Sequence, residues 1–178
     1  PGGNGVIILE LSSYQLDGAS KLTLNLASII NITPDHLDYH DNFETYISCK
    51  LKILDFLIDN GTLVLNKNSE LLDKLINEEK YQRIEILKTQ TINYENFIND
   101  NSSLYGKHNQ INSSIAILLA KNLNISDKKI KLSIKNFKGL PHRMETLYDS
   151  KKIKIINDSK STNGESTAAA LSSCSNIF

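Results

Sequence analysis

Two cysteines, Cys49 and Cys174, are too few for a disulfide framework in a chain of 178 residues. The default setting is therefore reducing and cytoplasmic. Net charge is also missing: 20 Lys+Arg balance 20 Asp+Glu, which argues against a protein whose main business is coating nucleic acid or an anionic membrane. No apolar run approaches the roughly 20 residues of a membrane span. The opening Pro1-Gly2-Gly3-Asn4-Gly5 has neither the basic start nor the apolar stretch of a signal peptide. It lacks an initiator Met as well, so the chain is expected to be cut from something longer. Internal repeats, low-complexity tracts and the phosphate-loop pattern G-x-x-x-x-G-K-[ST] are all absent.

What is present suits an ordinary globular unit. Hydrophobic residues make up 40% and charged residues 22%. A chain of this length fits one domain or parts of two, and buries roughly 70% of its unfolded surface. Val6-Ile7-Ile8-Leu9 predicts a strand buried on both faces, as in a parallel sheet. A second strand is expected over 27–32, ended by Thr33-Pro34-Asp35-His36. From about 42 to 59 Phe43, Tyr46, Ile47, Leu54, Leu57 and Ile58 make a helical stripe, and Asn60-Gly61 looks like its stop.

Further on, a short strand is expected over 62–65, a helix over 69–79, a strand over 83–87 and irregular structure over 89–105. Helices follow over 107–122 and 126–136. Lys138-Gly139-Leu140-Pro141 then breaks the pattern and marks a domain boundary, with 1–138 before it and 139–178 after. A strand over 152–157 and a helix over 164–173 complete the chain. Alternating strands and helices predict an α/β fold with a mainly parallel sheet and flanking helices.

Ligands of open parallel sheets sit beyond the carboxyl ends of the strands. Polar clusters follow three predicted strands: Glu10 to Gln15, Asp35-His36-Leu37-Asp38, and Asp158 to Asn163. Together they suit a site that handles phosphate and a metal; singly, each can simply cap the next helix. Lys50 falls in the middle of the apolar stripe. Either its stem is buried and its amine snorkels to water, or the amine points inward with a depressed pKa. A neutral amine reacts with carbon dioxide to give a carbamate, an anionic oxygen ligand. Glu10, His36 and such a Lys50 form a hard donor set suited to Mg²⁺ or Mn²⁺, although His36 equally fits a turn cap. His40 has no partner in the pattern and is expected at the surface. Asn109 and Asn112 share a side of a helix near its start. They can read the edge of a base or act as caps. Arg143 can hold phosphate bidentately or pair with Glu145.

The motifs ELSSYQL (10–16), NITPDHLDYH (31–40), YISCKLKI (46–53), GKHNQIN (106–112), GLPHRME (139–145) and NDSKSTN (157–163) resemble, in this order, those of the Mur ligase family. The first, fifth and last resemble the members that add D-glutamate to UDP-N-acetylmuramoyl-L-alanine. The resemblance implies a partial central ATP-binding domain followed by the first βα unit of a Rossmann-like C-terminal domain. It also implies an ATP-dependent, cytoplasmic ligase of peptidoglycan precursor synthesis, monomeric, with no nucleic-acid or membrane partner.

Residue by residue, the resemblance implies Mg²⁺ (or Mn²⁺) coordination by Glu10, His36 and a carbamylated Lys50. It implies adenine-side contacts from Asn109 and Asn112, and nucleotide contacts from His142, Arg143 and Asp158, with Arg143 on phosphate and Asp158 on ribose. Lys160 and Thr162 match positions near D-glutamate, and Ser12 a contact to the UDP-sugar. Family members carry a glycine-rich phosphate loop of the GTNGKS type, which these 178 residues lack. The chain alone is therefore expected to be inactive and to bind ATP weakly. Two alternatives are another amide ligase of the Mur or folylpolyglutamate type, which would need a different junction motif, and a non-catalytic nucleotide- or metal-binding fragment.

Overall fold

The computed structural model describes residues 5–66, 79–89, 104 and 106–177. The helix expected over 69–79 and most of the irregular segment over 89–105 lie outside them. By contacts the chain divides into two compact units. One comprises residues up to 63 together with 69–86, and the other 64–68 together with 87–178.

From the start of the described chain, α1 (Ser13–Gly18) is followed by β1 (Leu24–Ile29), the four-residue α2 (Leu37–His40), α3 (Phe43–Asp55) and β2 (Leu57–Leu65), whose last two residues, like those of the third strand, belong to the second unit. β3 (Glu85–Lys88) completes a three-stranded parallel sheet in the order β1-β2-β3. Ser12 starts α1 through a reciprocal cap: its hydroxyl accepts the Gln15 N–H, and the Gln15 side chain accepts the Ser12 N–H at 2.8 Å. Asn42 starts α3, its side-chain oxygen accepting the Thr45 N–H at 2.9 Å. α1 and α2 pack on α3, whose buried face carries Tyr46, Cys49 and Leu54.

Two expectations fail here. Val6–Leu9 forms no strand; the four side chains are 52–88% exposed. The apolar run encodes a preference for burial, but among the described residues no ladder partner lies beside it, and an unpaired extended segment has no sheet to join. Asn60-Gly61 is not a helix stop either. α3 ends at Asp55, and the Asn-Gly pair lies inside β2, with Asn60 in a left-handed conformation at φ 60°. A Cβ on Gly61 would meet the Ile58 carbonyl oxygen at 2.8 Å. The pair marks a tight irregularity in the strand, where the backbone approaches itself. The end of α3 is satisfied from outside by Arg83, whose guanidinium donates to the carbonyls of Leu54 (2.9 Å) and Leu57, the favoured sign of charge at that pole.

The second unit contains α4 (Lys107–Asn122) and α5 (Asp127–Asn136), packed on one another. The sequence pattern gives both spans to within a residue. Ile115, Ile117 and Leu118 of α4 are buried. β4 (Glu145–Asp149) and β5 (Lys154–Asn157) form an antiparallel pair with a register irregularity between Thr146 and Tyr148. α6 (Gly164–Ser172) follows, capped by Asn163. The strand and helix expected after residue 152 are present as β5 and α6, whereas β4 carries no signal in the sequence pattern. Its side chains from Thr146 to Asp149 are all exposed, so the strand never acquires the alternation that reveals a half-buried one.

Candidate functional site

Glu10 stands exposed just ahead of α1, and Ser12 spends its hydroxyl on the cap. The next helical residues face inward or across. Ser13 is buried at 1% exposure, and Tyr14 presents its ring to the segment that carries His36. There the backbone turns sharply: His36 has φ 54°, and its N–H donates to Asp35 Oδ1 at 2.9 Å. Its Nε2 lies 3.6 Å from Asp35 Oδ2. The His36 and Tyr14 rings have centroids 5.0 Å apart.

His40, at the far end of α2, is 2% exposed, and its Nε2 is paired with Ser13 Oγ at 2.9 Å. The surface position expected for it is therefore wrong. Its ring packs against Tyr14 (5.6 Å), Tyr39 (4.7 Å) and Tyr46 (5.4 Å). Tyr46 leads to Lys50, one helical turn on, whose Nζ sits 5.4 Å from the Tyr46 ring centroid. Rings thus connect His36 to Lys50 through Tyr14, His40 and Tyr46. The connection draws on three segments: the one after Glu10, the one after β1, and α3.

Lys50 is half-buried, and burial holds its pKa below the ordinary 10.5, with the Asp35 carboxylate opposing. Burial, followed by the Asp38 and Asp35 carboxylates, pushes the Tyr14 phenol up. Asp35 thus acts on His36, Lys50 and Tyr14 at once; the sequence places it in the polar cluster after the second predicted strand without giving it a separate role. Among the described residues no three His, Cys, Asp or Glu side chains gather around one point. The expected set counts a lysine as its third member. Its chemistry fits a divalent cation: an exposed carboxylate, an imidazole beside a carboxylate, and an amine whose partial desolvation favours the form that takes up carbon dioxide.

The remaining candidates lie in the second unit, where local hydrogen bonds tie two of their motifs together. Asp158 Oδ1 accepts the Met144 N–H at 2.8 Å, and its other oxygen accepts the Ser161 hydroxyl. The Lys160 N–H donates to the His142 carbonyl at 3.0 Å, and His142 Nδ1 lies 2.9 Å from Asn157 Nδ2. The His142 N–H donates to Glu145 Oε2 at 2.8 Å, so Glu145 serves the turn. Arg143, Lys160 and Thr162 are exposed. A third motif comes close. His108 in the first turn of α4 is depressed by burial, raised by Asp158 and depressed again by Arg143. Asn109 beside it is 8% exposed and Asn112 half-buried. Gly106, which precedes α4 at φ 94°, leaves no room for a side chain: a Cβ would lie 2.5 Å from Ser173 Oγ.

Comparison with known proteins agrees with these motifs. Residues 2–120 match the model of the Mur ligase middle domain. UDP-N-acetylmuramoylalanine--D-glutamate ligase of Leptospira borgpetersenii serovar Hardjo-bovis (strain JB197) is 35% identical, over 96% of this chain and 40% of its own. The enzyme of the same name from Rickettsia felis is 35% identical, over 96% of this chain and 42% of its own. This chain thus spans about two-fifths of the length of the curated relatives it matches.

Two solved structures share the fold. MurF from Acinetobacter baumannii superposes with a TM-score of 0.65 at 16% identity, covering 85% of this chain and 38% of that one. MurF ligase from Thermotoga maritima in complex with ADP gives 0.63 at 12%, covering 85% and 39%. The match over residues 2–120 takes in the Glu10, His36, Lys50 and Asn109 motifs together, and the chain belongs to the Mur ligase family.

Proposed function

We propose that this chain is part of an ATP-dependent ligase that joins D-glutamate to UDP-N-acetylmuramoyl-L-alanine in the cytoplasm, in peptidoglycan precursor synthesis. The observation that carries the reading is the half-buried Lys50 amine, connected through packed rings to His36. The names of the relatives support the substrate pair, and the ADP complex of a neighbour in fold supports the nucleotide. We assign residues from 139 onward to the start of a C-terminal domain of Rossmann type. We take the working enzyme to be monomeric.

The difficulty of the reaction is bringing anions together. The γ-phosphoryl group of ATP passes to the substrate carboxylate, giving an acyl phosphate and ADP. The amine of D-glutamate attacks the acyl carbon, and the tetrahedral intermediate expels phosphate. A bound Mg²⁺ or Mn²⁺ supplies charge neutralisation at the phosphate oxygens. Glu10, His36 and the carbamate of Lys50 are the groups to hold it. Asp35 keeps the His36 ring oriented. Arg143 offers a fork of donors to phosphate, Asp158 a carboxylate to ribose, and Asn109 and Asn112 amides to adenine. Lys160 and Thr162 are assigned to D-glutamate, and Ser12 to the UDP-sugar. Positioning supplies much of the remaining rate enhancement.

The test is Lys50→Ala in the full-length ligase. Turnover should fall about a hundredfold or more, the scale of losing one charge-stabilising group. The intact enzyme supplied with ¹³C-bicarbonate should show a carbamate carbonyl resonance that the variant lacks. Unchanged turnover in the variant would remove the ligand role.

A further inference from the structure

Among the buried titratable side chains that the mechanism above leaves unused is His40. It is nearly inaccessible at 2%, as is its partner Ser13 at 1%. Burying two polar groups is costly unless they satisfy each other, and the 2.9 Å contact between Nε2 and Ser13 Oγ does so. The pair also sits at a junction. Ser13 follows Ser12 and stands three residues after Glu10. His40 lies at the opposite end of α2 from His36, and the backbone N–H of His40 donates to the His36 carbonyl at 3.1 Å. On its other side the His40 ring meets Tyr46, which carries the Lys50 amine over its face. One imidazole therefore touches all three segments that bear the proposed cation ligands, while touching none of the ligands with its own ring nitrogens among the contacts described.

We propose that the buried Ser13–His40 pair is a positioning device: it fixes the segment of His36 and the face of α3 that carries Lys50 against the segment of Glu10, and so sets the geometry in which a divalent cation is held. The proposal rests on the function assigned above to Glu10, His36 and Lys50. Partners that orient metal ligands from behind typically affect metal affinity or activity by 10–100-fold.

The experiment uses the full-length ligase with Mn²⁺ alone as the probe, titrated by electron paramagnetic resonance without nucleotide. Turnover and the ¹³C-carbamate resonance are followed alongside. Ser13→Ala and His40→Leu should each weaken Mn²⁺ binding about tenfold or more and lower kcat. His40→Gln carries an amide to the position of Nε2 and should recover most of both. Because the pair acts as one unit, the double variant Ser13→Ala/His40→Leu should lose little more than either single one. If His40→Leu fails to fold, Ser13→Ala and His40→Gln still decide the matter. Mn²⁺ affinity within twofold of the parent in Ser13→Ala would overturn the proposal, as would an equal loss in His40→Gln and His40→Leu. These results stand apart from failure of the functional reading. In that case the parent enzyme itself binds no Mn²⁺ and Lys50→Ala turns over normally, and the positioning role falls with it.

Discussion

Lys50 shows how burial works on a single charge. Partial desolvation lowers its pKa from 10.5, so between the folded value and 10.5 the unfolded chain binds more protons than the folded one. Stability then rises with pH through that window, and below it the full cost is present. In carbon-dioxide-free buffer Lys50→Met should therefore be more stable than the parent at pH 7, by a margin that shrinks as pH approaches 10.5. Denaturant titrations at several pH values measure this; a margin independent of pH would contradict it.

Asp17 shows the opposite case. The hydrogen bond from Lys52 at 2.6 Å, then those from Cys49 and Lys52's charge, hold its carboxyl below the usual range. Its contribution is complete above the unfolded pKa and is lost as pH falls through the folded one. Asp17→Asn should lower the melting temperature at neutral pH, and the gap to the parent should close in acid. The clasp it forms between α1 and α3 is exposed and therefore salt-sensitive. At Gly106, φ 94° and the nearby Ser173 hydroxyl leave neither backbone freedom nor space. Gly106→Ala should cost about 1–3 kcal/mol, read as a shift in the denaturation midpoint.

At the scale of elements, α3 matters most, because it carries both core residues and the proposed ligand Lys50. Its Leu54 is fully buried at 0% exposure, and Leu54→Ala should cost about 2–5 kcal/mol through lost transfer energy and the cavity left behind. Equilibrium unfolding of the variant checks the figure. α3 also shows where a sequence pattern can be read and where it cannot. The stripe of Tyr46 and Leu54 with Lys50 among them is visible at helical spacing, and Lys50 is half-buried with its amine beside the Tyr46 ring. The helix end was misplaced because Leu57 and Ile58 continue the apolar run into β2, and periodicity does not distinguish short apolar runs of strand and helix. α4 and α5 were legible because Ser126 and the Gly106 turn mark their starts and their apolar spacing is unbroken. α1 was legible only at its start, where Ser12 and Gln15 form a capping pattern; six residues are too few to establish a period.

For the whole molecule, the 178 residues hold motifs assigned to metal, adenine, phosphate and ribose, but no G-x-x-x-x-G-K-[ST] loop to cradle the triphosphate. Calorimetry of this chain with Mg-ATP should accordingly show no micromolar binding, whereas a full-length ligase should bind. Micromolar affinity in the chain itself would show that the second-unit motifs suffice.

By itself the sequence determined which chemistry is on offer: the order of motifs, the α/β alternation and an uncommon lysine on an apolar stripe are all local, and local spacing is what a sequence displays. Tertiary structure decided what those residues touch. It left Val6–Leu9 exposed because a strand needs a neighbour, and it buried His40 because Ser13, 27 positions earlier in the chain, comes to meet it. It also brought the Asp35 carboxylate to bear on Lys50 of α3. Such pairings depend on folding distant segments together, and no periodicity within a segment encodes them.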